Sequence, residues 1–242
     1  MRIAVLSDIH SNLVALDAVL GSLGTVDAVW QLGDVVGYGP EPDGVVERLS
    51  GVGAIGVKGN HDDAACGGES IEDFTPDARV AAEWTRSHIT EQTYAYLVAL
   101  PERLEPGRGA FTLVHGSPRE PLCEYLHSAS AARDSLAAFT TAYCLVGHTH
   151  VPLILRQEHG HIQPRVVEPG SPVGLDERRT FLNPGSVGQP RDGDPAASYM
   201  LIDTAAGQVT WQRVAYDIET TQAAILTAGL PARLARRLGS GR

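Results

Sequence analysis

The stretch RIAVLSDIHSNLVALDAVLGSL, residues 2–23, decides how the rest of the chain is read. Arg2 to Leu6 is a short, β-branched-rich run bounded by Ser7 and Asp8, which predicts a buried strand. Leu13, Leu16, Val19, Leu20 and Leu23 then recur at helical spacing. Ser11 or Asn12 stands where the helix N-cap belongs, so capping does not need Asp8, which is left free for chemistry.

The same unit recurs downstream. Ala28 to Leu32 predicts a second strand, Gly33 and Asp34 open a loop, and Pro42 suits the first turn of a helix running toward Leu49. A third strand, Ala54 to Val57, ends at a loop Gly59-Asn60-His61-Asp62. Strands alternating with helices form a parallel sheet whose ligand site lies beyond the carboxyl ends of the strands, so the three loops are expected on one edge. Asp77 to Leu100 reads as a helix in two pieces split near Thr90 and closed by Pro101. Ala110 to Val114 and Tyr143 to Val146 read as buried strands flanking a helical stretch from Ala129 to Phe139. Strand-like segments follow at Leu153 to Arg156, Arg165 to Val167, Thr180 to Leu182, Tyr199 to Ile202 and Gln208 to Val214, which implies a second sheet stacked on the first. Asp217 to Leu226 is an amphipathic helix, and Pro231 starts a last one whose Arg233, Arg236 and Arg237 read as a solvated face favoured by the helix dipole.

With 43% apolar and 20% charged residues in 242, the chain is neither collagen-like, coiled coil nor disordered, and a single domain over 1–242 with a helical tail from about residue 217 is expected. Nineteen basic against 29 acidic side chains leave a net charge of −10, which excludes a generalised basic surface for nucleic acid. Any phosphate must therefore be attracted locally. Cys66, Cys123 and Cys144 are odd in number and form no CxxC pair, so neither a disulfide framework nor a thiolate zinc site is indicated. Ile3 to Leu6 is too short for a signal-peptide core. The charge-free window Ser135 to Leu155 contains Gly147, His148, His150 and Pro152, and reads as strand and loop, not a membrane span. A cytoplasmic, reducing location is expected.

Five strand-end loops carry residues able to bind a cation: Asp8-Ile9-His10, Gly33-Asp34, Gly59-Asn60-His61-Asp62, His115-Gly116 and Gly147-His148-Thr149-His150. Oxygen and imidazole ligands without sulfur suit Mn, Fe, Co, Ni or Zn, and there are too many for one ion. If the segment after the first strand stays extended, Asp8 and His10 point to the same side and can share an ion. His159-Gly160-His161 matches no such loop and reads as a solvated hairpin turn.

In their order, Asp-x-His, Gly-Asp, Gly-Asn-His-Asp, His-Gly and Gly-His-Thr-His, these motifs resemble the calcineurin-like metallophosphoesterase superfamily from Asp8 to His150. Residues 33–40, GDVVGYGP, and 183–191, NPGSVGQPR, further resemble its small bacterial phosphodiesterase-like branch. The resemblance implies an α/β (α+β) fold of two stacked mixed β-sheets flanked by helices, a four-layer αββα sandwich. It implies two divalent ions per chain, manganese favoured over Fe, Ni, Zn or Co. Asp8, His10 and His150 would hold one ion, Asn60, His115 and His148 the other, with Asp34 bridging. The implied reaction is hydrolysis of a small phosphodiester by in-line attack of a metal-bridging hydroxide, with His61 as general acid, and without a membrane or an extended nucleic-acid partner.

Protein phosphatases of the superfamily carry Gly-Asp-x-x-Asp-Arg-Gly where this chain has Gly33-Asp34-Val35-Val36-Gly37-Tyr38-Gly39. A phosphomonoesterase or protein Ser/Thr phosphatase is therefore the alternative enzyme, and a catalytically weak metal-binding scaffold the alternative from another class. Tyr38, Arg119 and Arg191 lie in loops open to the phosphate or its substituent.

Overall fold

Strand β1 (Arg2–Leu6) hydrogen-bonds in parallel with β2 (Ala28–Gln31), and β2 in parallel with β3 (Ile55–Gly56), in a computed structural model that describes residues 1–68, 70–106 and 109–242. The crossovers are α1 (Leu13–Ser22), capped by Asn12 Oδ1 accepting from the Ala15 amide at 3.1 Å, and α2 (Pro42–Gly51), which opens on proline. Three helices follow, α3 (Asn60–Cys66), α4 (Pro76–His88) and α5 (Glu91–Ala99). The split near Thr90 is a cap: Thr90 accepts from the Thr93 amide and starts α5.

The second half supplies β4 (Arg103–Leu104), β5 (Phe111–Val114), α6 (Ala129–Ser135), β6 (Tyr143–Leu145), β7 (Leu153–Glu158), β8 (His161–Arg165), β9 (Pro172–Gly174), β10 (Thr180–Asn183), β11 (Ala197–Asp203), β12 (Gln208–Val214), α7 (Ile218–Thr227) and α8 (Ala232–Leu238). One mixed sheet has the order β3-β2-β1-β11-β12-β9 and the other β4-β5-β6-β10-β7-β8. The strand expected at Arg165 to Val167 lies instead at His161–Arg165, sharing only Arg165 with that reading, and beyond it β8 loses its partner and Val166 is 80% exposed. His159 and Gly160, with φ of 48° and 81°, make the two-residue turn between β7 and β8 that the sequence predicts.

The period of two along the strands separates the layers. Ile3 and Val5 of β1 join Tyr143 and Leu145 of β6, Leu182, Ile202 and Trp211 in the core between the sheets. Ala4 and Leu6 face α1 and α2 on one outer side, and Cys144, Leu155 and Phe181 face Ala132 of α6 on the other. This is the helix–sheet–sheet–helix sandwich expected. Trp211, fully buried, ties the sheets together: from β12 its indole Nε1 donates to the Asn183 carbonyl at the end of β10, at 2.7 Å. Helices α7 and α8 pack with α4 around Ile225, Leu234, Leu238 and Ala81, and this cluster includes the Tyr38 ring.

Candidate metal centre

The seven expected ligands stand at the carboxyl ends of five strands. Asp8 and His10 follow β1, Asp34 follows β2, His115 follows β5, and His148 and His150 follow β6. Asn60 and His61 depart from the loop expected after β3: they form the first turn of α3, where Asp62 Oδ2 accepts from the N-cap Gly59 amide at 2.9 Å. The backbone departs from the extended reading as well. Asp8, His10, Asp34, His148 and His150 all have left-handed φ, between 52° and 64°, as do Ser11 and Tyr38. Asp8 and His10 therefore meet not through strand alternation but because their amides bond to the Gly33 and Asp34 carbonyls, at 3.1 and 2.9 Å. Left-handed non-glycine residues cost about 1–3 kcal/mol each and persist where surrounding contacts impose them.

These residues converge in two buried groups, Asp8, His10, Asp34 and His150 in one, and Asp34, His115 and His148 in the other. Asp34 Oδ2 lies 3.5 Å from His10 Nε2 and 3.3 Å from His115 Nε2, so one oxygen belongs to both. His150 Nε2 is 3.4 Å from Asp8 Oδ1 and 3.1 Å from His10 Nε2. His115 Nε2 is 3.2 Å from Asn60 Oδ1 and 3.1 Å from His148 Nδ1.

Each of the four imidazoles donates its other ring N–H to a main-chain carbonyl: His10 Nδ1 to Val36 at 3.1 Å, His115 Nδ1 to Leu32 at 2.8 Å, His148 Nε2 to Cys123 at 3.0 Å and His150 Nδ1 to Gln189 at 2.6 Å. A carbonyl can only accept, so these bonds fix the tautomers and aim the remaining nitrogens inward. Burial pushes His10 and His150 well below the usual imidazole range, so both are neutral and oppose lone pairs. Around His115 the balance differs. Burial is outweighed there by Asp34, which raises the ring to about 9. A proton on Nε2 then serves Asp34, Asn60 and His148 together. Burial would raise Asp34, but His115 and then His61 hold it well below the carboxylate range. Opposed imidazole lone pairs around a shared carboxylate, with no sulfur, are the donor set that first-row divalent cations fit.

A segment C-terminal to β10 holds the loops in place. Asn183 Nδ2 donates to the Gly147 carbonyl at 2.7 Å and to Thr149 Oγ1 at 3.1 Å, and Ser186 Oγ donates to the Asp8 carbonyl at 2.7 Å. The Val187 and Gly188 amides add bonds to the Ser7 and Asp8 carbonyls, each at 3.0 Å. Gly59 is required where it is, since a Cβ there would run into the Asp34 amide and carboxylate.

Among the described residues, the His61 ring makes no hydrogen bond. Nδ1 is buried without a partner, and the ring is held by Tyr38, Phe74 and His10 at centroid distances of 4.4, 4.8 and 5.0 Å. Its amide donates to Asp34 Oδ1 at 2.9 Å, and burial lowers the ring pKa to about 4. Gly37 stands so close that a Cβ would lie 2.7 Å from His61 Nδ1. Arg119 turns away to pair with Glu124, whereas Arg191 and Tyr38 line a cavity beside the cluster. Arg237 corrects the solvated-face reading of α8: it is half-buried, with its guanidinium 6.0 Å from the Tyr38 ring centroid. The signal was available in Leu234, Ala235 and Leu238, which mark the packed side of α8 next to which Arg237 falls. Asp62 and Asn183 carry no role in the sequence reading, because the Val36 amide that Asp62 also accepts from and the Gly147 carbonyl that Asn183 donates to lie far away in the chain and leave no local pattern.

Residues 1–207 match the model of the calcineurin-like phosphoesterase superfamily domain. The uncharacterized protein MJ0912 of Methanocaldococcus jannaschii is 36% identical over 246 residues, spanning 99% of this chain and 98% of that protein. A crystal structure of a metallophosphoesterase from Sphaerobacter thermophilus superposes with a TM-score of 0.91 at 45% identity, over 100% of this chain and 99% of its own. The phosphodiesterase YfcE of Escherichia coli K12 is 27% identical over 84% of this chain and 88% of its own length. With this match and the geometry in agreement, the chain belongs to the calcineurin-like phosphoesterase superfamily.

Proposed function

We propose that this protein hydrolyses small phosphodiesters at a two-metal centre. The observation that carries the reading is Asp34 Oδ2 shared between two groups of inward-facing imidazoles, in one of which His10 and His150 oppose lone pairs at 3.1 Å. Asp8, His10 and His150 would hold one ion and Asn60, His115 and His148 the other, with Asp34 common to both. Divalent ions bound there supply Lewis acidity toward the phosphoryl group and lower the pKa of water toward ~7.

His61 is the residue proposed to protonate the departing alkoxide. Its Nδ1 is sealed, so the proton is carried on Nε2. A phosphate anion beside the ring favours its protonated form against the desolvation that lowers it. Tyr38 and Phe74 keep the ring plane fixed and exclude water from one side. The preference for diesters is supported by the similarity to a phosphodiesterase and by Gly37 and Tyr38 standing where protein phosphatases carry Asp and Arg.

The test is a metal-by-substrate matrix on protein stripped of metal and reloaded with Mn, Fe, Co, Ni or Zn. Aryl diesters, phosphomonoesters, cyclic nucleotides and dinucleoside polyphosphates form the other axis. Faster turnover of the aryl diester than of the monoester, with manganese leading, is expected. Inactivity toward every ester with every metal overturns the reading.

A further inference from the structure

Beside the ligand cluster lies a concave pocket of about 490 Å³. Its lining includes five guanidinium groups, those of Arg191, Arg233, Arg236, Arg237 and Arg242, and a single carboxylate side chain, that of Asp77. In a chain of net charge −10 this is a strong local reversal of sign. Several arginines elsewhere are paired closely with acids, as in Arg48 with Asp17 at 2.9 Å and Arg213 with Asp192. Here they are not. Asp77 is 3.9 Å from Arg233, Arg237 Nε donates to the Arg242 main-chain oxygen, and Arg191 donates through Nη2 to Gln189 Oε1 at 3.2 Å while its buried Nε has no partner among the described residues.

The pocket is continuous with the site already described. The Tyr38 ring is 4.6 Å from the His10 ring and has the Arg237 guanidinium 6.0 Å from its centroid. Tyr125, stacked on His148 at 4.0 Å, lines the same pocket. Burial first, and then the neighbouring Arg191, lower the Arg237 pKa, as expected where cations crowd a partly buried site. Helix α8, which carries three of the arginines, lies beyond residue 207, outside the matched family region.

We infer that this pocket binds a second, non-reacting phosphate, so that the substrate is a phosphate ester carrying a further phosphoryl or polyphosphate group beyond the scissile one. The inference rests on the phosphoesterase reading for its substrate and deepens it. Guanidinium forks match phosphate oxygens bidentately, and the volume suits a small molecule and not a nucleic-acid strand.

Binding of inorganic triphosphate to the chelator-treated full chain, measured by calorimetry, separates this claim from hydrolysis. Saturable binding is expected, weakened at least about tenfold in the Arg236→Ala, Arg237→Ala double variant. Arg236→Ala alone, at an exposed side chain, should give a partial loss with an unchanged melting temperature. No binding by the parent chain, equal affinity in the double variant, or tighter binding of a single-stranded oligonucleotide than of triphosphate overturns the inference. Since no metal is present, an inactive enzyme leaves a positive result standing, and an active enzyme does not rescue a negative one.

Discussion

His10 Nε2 and His150 Nε2 face each other across 3.1 Å although each ring has already committed its N–H to a carbonyl, His10 to Val36 and His150 to Gln189. Two buried lone pairs at that separation repel, and carboxylate oxygens of Asp8 and Asp34 crowd them at 3.4 and 3.5 Å. A cation relieves both. Metal should therefore stabilise the fold. Binding at 100 times Kd contributes about 2.7 kcal/mol per site, and each kcal/mol raises Tm by roughly 2–4 °C for a chain of this size. Differential scanning calorimetry with chelator and then with excess Mn should show that rise. Coincident transitions would count against the centre.

Asp34 is the one residue common to both ligand groups. Asp34→Asn keeps the volume but removes the charge that draws two dications together. Metal content by plasma spectrometry should fall from two ions per chain toward none, both sites emptying together. Full occupancy of one site in this variant would show that the carboxylate does not bridge.

The His61 ring lies against His10 without belonging to either ligand group. His61→Ala should thus keep its metal while losing ~10²–10⁴-fold in kcat toward an unactivated diester. The loss should be smaller for an aryl ester, whose leaving group needs less help from an acid. Equal losses for both esters would assign the ring to positioning instead.

The loops after β1, β2 and β3 are legible because a strand followed by a helix puts every intervening loop on the same edge, whereas those of His115, His148 and His150 are legible through the order of their motifs, since β6 runs on into β7 with no helix between. What the strands could not convey was how those loops bend. Asp8 and His10 read as extended, yet their φ of 52° is imposed by carbonyls of the Gly33 to Val35 segment, which no local pattern contains. Asn60 and His61 read as loop because their helix has glycine at its N-cap and takes its side-chain capping bond from Asp62. Arg237 reads as a solvated charge because the Tyr38 ring it covers lies about two hundred residues earlier in the chain.

Asn183 is the point where the two-sheet core reaches the metal ligands. Its carbonyl accepts from the Trp211 indole, its Nδ2 donates to the Gly147 carbonyl and Thr149 Oγ1, and its Oδ1 accepts from the Gly185 amide at 2.8 Å. Asn183→Ala leaves the carbonyl bond intact but strands the buried Gly185 amide, a cost of about 1–3 kcal/mol, and leaves the Gly147 carbonyl with the Thr149 amide alone. The larger consequence falls on His148 and His150, whose left-handed backbone depends on the Gly147 to Thr149 turn being held. Metal affinity should drop by about 10–100-fold, the usual cost of losing support behind ligands. Thr149→Val, which removes one of the Asn183 bonds together with the Thr149 Oγ1 bonds to Val151, should lose less. If Asn183→Ala lowers Tm while the metal Kd stays at the parent value, the residue stabilises the sheets alone and the coupling to the site is refuted.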